Sequence, residues 1–247
     1  MPRWPIRFAE SLSRVERWLL PAECLLCGER VAEPSEPLAC ALCRSRWRRL
    51  PEYQCPRCGQ PQSPGIDCRL CVDWPAELVS VNSAVWLDDS ARRAVHLLKY
   101  DGWWRLADSM AAAMTHLPAL QHGTVLVPIP LSASRERSRG YNQSARLAAG
   151  LRNRRGKAVR TDLLVRTRDT RTQTQLTPEE REANLRGAFA ARAPIGGDVI
   201  LVDDVFTTGA TLAAAARGLI RAGASRVTAV TFARAARPLD GAIGDGK

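Results

Sequence analysis

The stretch VILVDDVFTTGATLAAAARGLI (residues 199–220) decides the fold. It opens on four apolar residues, Val199, Ile200, Leu201 and Val202, and then turns abruptly polar at Asp203 and Asp204. A short continuous apolar run bounded by turn residues reads as a strand buried on both faces, the kind found in parallel sheets. The alanine-rich residues 211–223, ended by Gly223, read as a helix. Between strand and helix stand Thr207, Thr208, Gly209, Ala210 and Thr211. In an open parallel sheet, ligands bind beyond the carboxyl ends of the strands, where this segment falls. A Thr/Gly loop at a helix N-terminus turns hydroxyls and backbone N–H groups toward an anion. Gly209 allows close approach of the backbone. The two acids would repel a bare phosphate. They make sense if the ligand also carries donors, such as the vicinal hydroxyls of a ribose. The order of residues is not that of a P-loop, which needs a Gly–Lys–Ser/Thr triplet.

The flanking sequence repeats the strand–helix alternation. Strands are predicted over 78–87, 124–130, 162–167, 198–204 and 226–234, and helices over 89–100, 103–117, 142–151 and 211–223. That alternation predicts an α/β domain with a mainly parallel sheet over residues 78–236. A leading amphipathic helix is expected within residues 1–22, carried by Phe8, Leu12, Val15 and Leu19, and residues 237–247 read as a frayed tail. No apolar run approaches the ~18 residues needed to span a membrane. The first residues lack the apolar core of a signal peptide, so a cytoplasmic location is expected.

All eight cysteines lie before position 72, in four CxxC pairs: Cys24/Cys27, Cys40/Cys43, Cys55/Cys58 and Cys68/Cys71. A CxxC turn puts two thiolates on one side of a tight loop, and two such knuckles close a four-thiolate tetrahedral site. Eight ligands suit two Zn2+ ions. Disulfides would require an oxidising compartment. The proline-bearing RRLPEYQCP between the second and third pairs reads as a linker, which favours sequential pairing; interleaved pairing would give a cross-brace. With four thiolates each, the sites have no open position and are structural. They would hold together a double ribbon over residues 23–75 that is too small to build its own core. Chelation is expected to unfold residues 24–71 and leave the α/β domain folded.

The net charge is +11, and it is concentrated. The window 135–171 holds twelve Arg or Lys against three acids, Glu136, Asp162 and Asp169. Such a field suits a polyanion: a pyrophosphate, a nucleotide or a nucleic-acid backbone. A basic surface that only maintains solubility is the alternative.

VILVDDVFTTGATL resembles the phosphoribosyl pyrophosphate (PRPP) motif of type I phosphoribosyltransferases. Taken with the cysteine pairs and with LLKYDGWWRLA (97–107), VPIPLSASRERSRGYNQSARLA (127–148) and TRTQTQLTPEEREANLRGAF (170–189), the chain resembles the ComF family of ComFC/GntX-like proteins, which join a zinc ribbon to a phosphoribosyltransferase domain. The resemblance implies a type I phosphoribosyltransferase-like fold. It implies that Asp203 and Asp204 hold the ribose hydroxyls, that residues 207–211 cradle the 5-phosphate, and that Mg2+ accompanies PRPP. By the same resemblance, residues 168–184 form a lid with Thr170, Gln173, Arg181 and Asn184 as candidates.

The loop RERSRGYNQS is expected to bring Arg135, Arg137 and Arg139 to the pyrophosphate, or else to be a solvated loop. Lys99 either reaches the same anion or lies on the surface. His96, His116 and His122 are isolated and carry no expectation. No stretch reads as an acceptor-recognition loop. Three functions remain: a phosphoribosyltransferase with an unidentified acceptor; a protein that handles single-stranded DNA in the competence machinery, as the family resemblance implies, with PRPP as effector or vestigial ligand; and an adaptor whose zinc module docks a protein partner.

Overall fold

The computed structural model describes residues 23–31, 38–62, 68–72, 74–122, 124–167 and 187–236. A five-stranded sheet runs in the order β1-β7-β6-β2-β3: β1 is Leu78–Trp86, β2 Val125–Pro128, β3 Ala158–Val159, β6 Asp198–Phe206 and β7 Arg226–Arg234. Each neighbouring pair is parallel. The helices are α1 (Ala41–Ser45), α2 (Asp89–Tyr100), α3 (Ala107–Met114), α4 (Ala119–His122), α5 (Ala133–Arg139), α6 (Gln143–Arg155) and α7 (Ala210–Arg221).

The apolar run of β6 serves two cores. Ile200 and Val202 pack with α2, α3 and α6 on one face, through Leu98, Met110 and Leu147. Val199 and Leu201 pack on the other, with Leu212, Ala215 and Leu219 of α7. Period-two alternation with both faces covered explains why the strand shows no polar side in its sequence.

The zinc module is not a separate lobe. Arg49 forms an antiparallel bridge with Val85, the Trp86 amide donates to the Arg48 carbonyl at 2.8 Å, and the Val81 amide donates to the Arg57 carbonyl at 2.8 Å. These bonds run along the outer edge of β1. Trp47 is buried edge-on against Phe232 of β7, with centroids 4.9 Å apart, and Cys43 belongs to the same core. The expectation that this module unfolds alone is therefore revised, because its side chains are part of the sheet's own packing.

Three sequence readings change. Residues 103–117 are not one helix: Gly102 takes φ +76, a 3-10 turn follows at Trp104–Leu106, and α3 begins at Ala107. Trp103 and Trp104 stay exposed, and Arg146 covers Trp104 at 4.4 Å. The stretch around Arg135 is not a loop but α5, capped by the Ser132 side chain. The strand predicted over 162–167 is β4 (Leu164–Arg166). It leaves the main sheet and pairs antiparallel with β5 (Phe189–Ala191). The leading helix, the tail and the candidates Thr170, Gln173, Arg181 and Asn184 lie outside the described residues.

Candidate functional site

The carboxyl ends of β6 and β2 and the last turns of α2 form a cleft of about 390 Å3. That size falls within the roughly 300–1,000 Å3 of small-molecule sites. Asp203, Asp204, Thr207, Thr211 and Arg135 all line it, as does Lys99. Arg137 and Arg139 do not: Arg139 turns back to donate to the Gln143 side chain and lies 5.4 Å over the Tyr100 ring. Arg92 and Arg166 take their place in the wall, so four cations face two carboxylates. A larger hollow, about 720 Å3, lies at the amino ends of the strands, beneath Arg49 and Arg226. It holds neither the acid pair nor the threonine loop.

The two adjacent acids have different surroundings. Asp204 is buried, and its Oδ2 stands 2.5 Å from Lys99 Nζ. Burial would lower the Lys99 pKa, but Asp204 and then Asp203 outweigh it and hold the ammonium above its usual value. Asp203 is half-buried, and its Oδ1 accepts from Ser144 Oγ at 2.8 Å and from the Asp204 amide at 2.9 Å. Burial and the adjacent Asp204 carboxylate push the Asp203 carboxyl up to about 7, against the pull of Lys99 and Ser144. Ser144 is in place because the Asn142 side chain caps α6: its Oδ1 accepts from the backbone amides of Ser144 and Ala145, while its Nδ2 donates to the Ile129 carbonyl after β2.

The threonine loop leads directly into α7. Thr208 Oγ1 accepts from the Ala210 amide at 3.4 Å. Gly209 caps the helix at φ +82, where any other residue is strained. The amino end of a twelve-residue helix thus faces the cleft beside Thr207 and Thr211.

The cysteines form two groups, Cys24/Cys27/Cys40/Cys43 and Cys55/Cys58/Cys68/Cys71, with ligand atoms within 4.8 Å of one another. This is the sequential pairing. Sulfurs sit 3.6 Å apart for Cys55–Cys71, 3.5 Å for Cys58–Cys68 and 4.0 Å for Cys27–Cys40. Tetrahedral Zn–S bonds of about 2.3 Å separate sulfurs by about 3.8 Å, whereas a disulfide brings them to about 2 Å. The tetrads therefore support structural zinc.

Two family descriptions match the chain: a double zinc ribbon domain over residues 15–72 and a phosphoribosyl transferase domain over residues 137–240. The DNA utilization protein YhgH of Salmonella typhimurium is 31% identical over 217 residues, covering 84% of this chain and 95% of that protein. The competence protein ComFC of Bacillus subtilis is 30% identical over 233 residues, covering 85% and 94%. The chain belongs to the ComF family. A solved orotate phosphoribosyltransferase from Aeropyrum pernix covers 60% of the ComF chain at 20% identity and a TM-score of 0.33, too loose a likeness to carry substrate or mechanism. Among the described residues of this ComF protein, no helix is long and apolar enough to cross a membrane.

Sequence reasoning left Lys99 undecided and missed Arg92, Arg166 and Ser144. A signal existed for Lys99 and Arg92: Arg92, His96 and Lys99 recur at helical spacing, and all three line the cleft. Arg166 stands at the end of a short strand, where no pattern distinguishes it.

Proposed function

We propose that this chain binds PRPP at the carboxyl end of its sheet and transfers the phosphoribosyl group to an acceptor, releasing pyrophosphate. One observation carries the reading: the acid pair and the amino end of α7 share one cleft with four cations. Asp203 accepts from the ribose hydroxyls. Asp204, neutralised by Lys99, orients Asp203 and keeps the floor of the cleft rigid. Thr207, Thr208, Gly209, Ala210 and Thr211 take the 5-phosphate. Arg135, with Arg92 and Arg166, faces the pyrophosphate as charge builds on it during cleavage of the anomeric C–O bond. The new bond forms from the acceptor to the same carbon. Asp203 is the carboxylate suited to Mg2+, which such sites hold through one or two carboxylates plus the phosphates of the ligand. Bound there, the ion would help to neutralise the pyrophosphate leaving group.

Calorimetry with PRPP and Mg2+ tests the reading. Asp203→Asn should weaken binding by about 1.5–3 kcal/mol, roughly ten- to 150-fold, because a neutral amide accepts weakly and loses its attraction for the ion. The double change with Asp204→Asn should lose at least as much. Unchanged affinity in Asp203→Asn would rule out the diol contact. A screen of nucleobases for pyrophosphate release then addresses the acceptor.

The raised Asp203 pKa sets a pH dependence. Donors and Mg2+ favour the ionised form, so PRPP affinity should rise with pH up to about 7 and level off above it. Below that point it should fall by as much as about tenfold per pH unit. For folding the sign is opposite. The folded chain keeps this proton to a higher pH than the unfolded chain does, so its contribution to stability is present at low pH and lost as pH rises toward about 7. Calorimetry on both sides of neutrality reads the first effect; a pH-independent affinity would contradict it.

A second reading, contact with single-stranded DNA, is favoured by Arg152 and Arg155 at the end of α6, outside the cleft. Relatives named for competence and DNA utilization support it. Binding to an oligonucleotide should weaken with salt by roughly 0.7 in log K per log salt for each phosphate contact. Reversing Arg152, Arg154 and Arg155 to Glu should flatten that slope and spare PRPP binding. A slope near zero in the parent would remove DNA from the partners.

A further inference from the structure

We infer that Trp74 is a positioning residue for the loop 207–211, and that the second cysteine tetrad holds it there. This rests on the reading of that loop as a phosphate cradle. Phe206 is the buried last residue of β6, and the loop begins one residue later. Trp74 meets the Phe206 ring edge-on, with centroids 5.7 Å apart. The same indole fills the space beside Gly209: a Cβ there would stand 2.7 Å from Trp74 Cζ2 and 3.1 Å from Phe206 Cε2. The loop therefore has an aromatic wall behind it at its most permissive residue.

Both backbone ends of Trp74 are tied to the tetrad. Its amide donates to the Cys71 carbonyl at 3.2 Å. The Arg57 guanidinium, from within the Cys55/Cys58 turn, donates to the carbonyls of Cys71, Trp74 and Pro75, each at 2.9 Å. A second link reaches Phe206 from the same knuckle. Arg234, at the end of β7 and 1% exposed, donates to the Cys58 carbonyl at 2.7 Å and to the Gln60 side chain, and its Cζ lies 4.7 Å from the Phe206 ring centroid. The first tetrad contributes to the core on the other face, through Cys24 and Cys43, and does not share these links. Zinc in the second tetrad fixes the Cys58 and Cys71 carbonyls. Those carbonyls fix Arg57 and Arg234, and through them the wall behind Gly209.

The test uses the full zinc-loaded chain with Trp74→Ala and Trp74→Phe. Hydrogen exchange of a peptide spanning the loop needs no ligand, and calorimetry with ribose 5-phosphate reads the cradle. In Trp74→Ala the loop amides should exchange faster, by on the order of tenfold, while the rest of the sheet and the bound zinc stay as in the parent. Ribose 5-phosphate affinity should fall by a similar factor, and Trp74→Phe, which keeps an aromatic edge on Phe206, should recover most of both. Unchanged loop exchange in Trp74→Ala overturns the inference. So does faster exchange spread evenly over the α/β domain, or the absence of rescue by Trp74→Phe. If the parent fails to bind ribose 5-phosphate, the phosphate reading falls while exchange still judges the positioning role.

Discussion

Replacing Lys99 with methionine is expected to destabilise the folded chain by about 3 kcal/mol, the low end of what breaking a buried ion pair costs. The ammonium lies 2.5 Å from Asp204, with side-chain exposures of 21% and 5%. Methionine fills similar space but leaves the buried Asp204 carboxylate without its paired ammonium. Pairing Lys99→Met with Asp204→Leu removes both charges, and most of the stability should return, because apolar replacement of a whole buried pair is often near neutral. Urea unfolding of parent, single variants and double variant closes the cycle. A parent-like midpoint for Lys99→Met would show that the pair is not coupled.

Zinc removal should have the larger effect. Purified protein should carry one ion per tetrad, two per chain. Structural zinc sites supply about 10–16 kcal/mol each, against a total domain stability of about 5–15 kcal/mol. Chelation should therefore abolish cooperative melting of the whole chain, not of the ribbons alone. Trp47 would leave Phe232, and β1 would lose the bonds from its outer strand edge to Arg48 and Arg57. Metal analysis returning one ion or none, or an unchanged melt in the presence of chelator, would contradict this.

The parts of the molecule legible in the sequence are those specified by local spacing. β6, its acid pair and α7 follow from an apolar run, an abrupt polarity change and a glycine within a single segment. The cysteine pairing follows from intervals and a proline linker. The remainder depends on partners far away in the chain. The β4–β5 pairing joins Leu164 to Ala191 across residues that carry no hairpin signal. α5 is hidden because arginines at 135, 137 and 139 offer no apolar face, and its burial pattern shows no buried residue. Lys99 could be assigned only once α2 was seen to end above Asp204. Arg234 reads as the polar end of a strand, and nothing in its neighbourhood hints at full burial against Cys58.

The order of strands in the sheet has a consequence for how the chain is made. β7 sits between β1 and β6, yet it is the last of the five sheet strands in chain order among the described residues. Until residues 226–234 emerge, β1 has no inner neighbour and β6 has only β2. Such non-local pairing is slow and leaves apolar strands uncovered while synthesis continues. The ribbons precede β1 in the chain, and in the folded protein the backbone of Arg48, Arg49 and Arg57 lies along it. In the nascent chain they would give β1 a provisional neighbour before residues 226–234 are made.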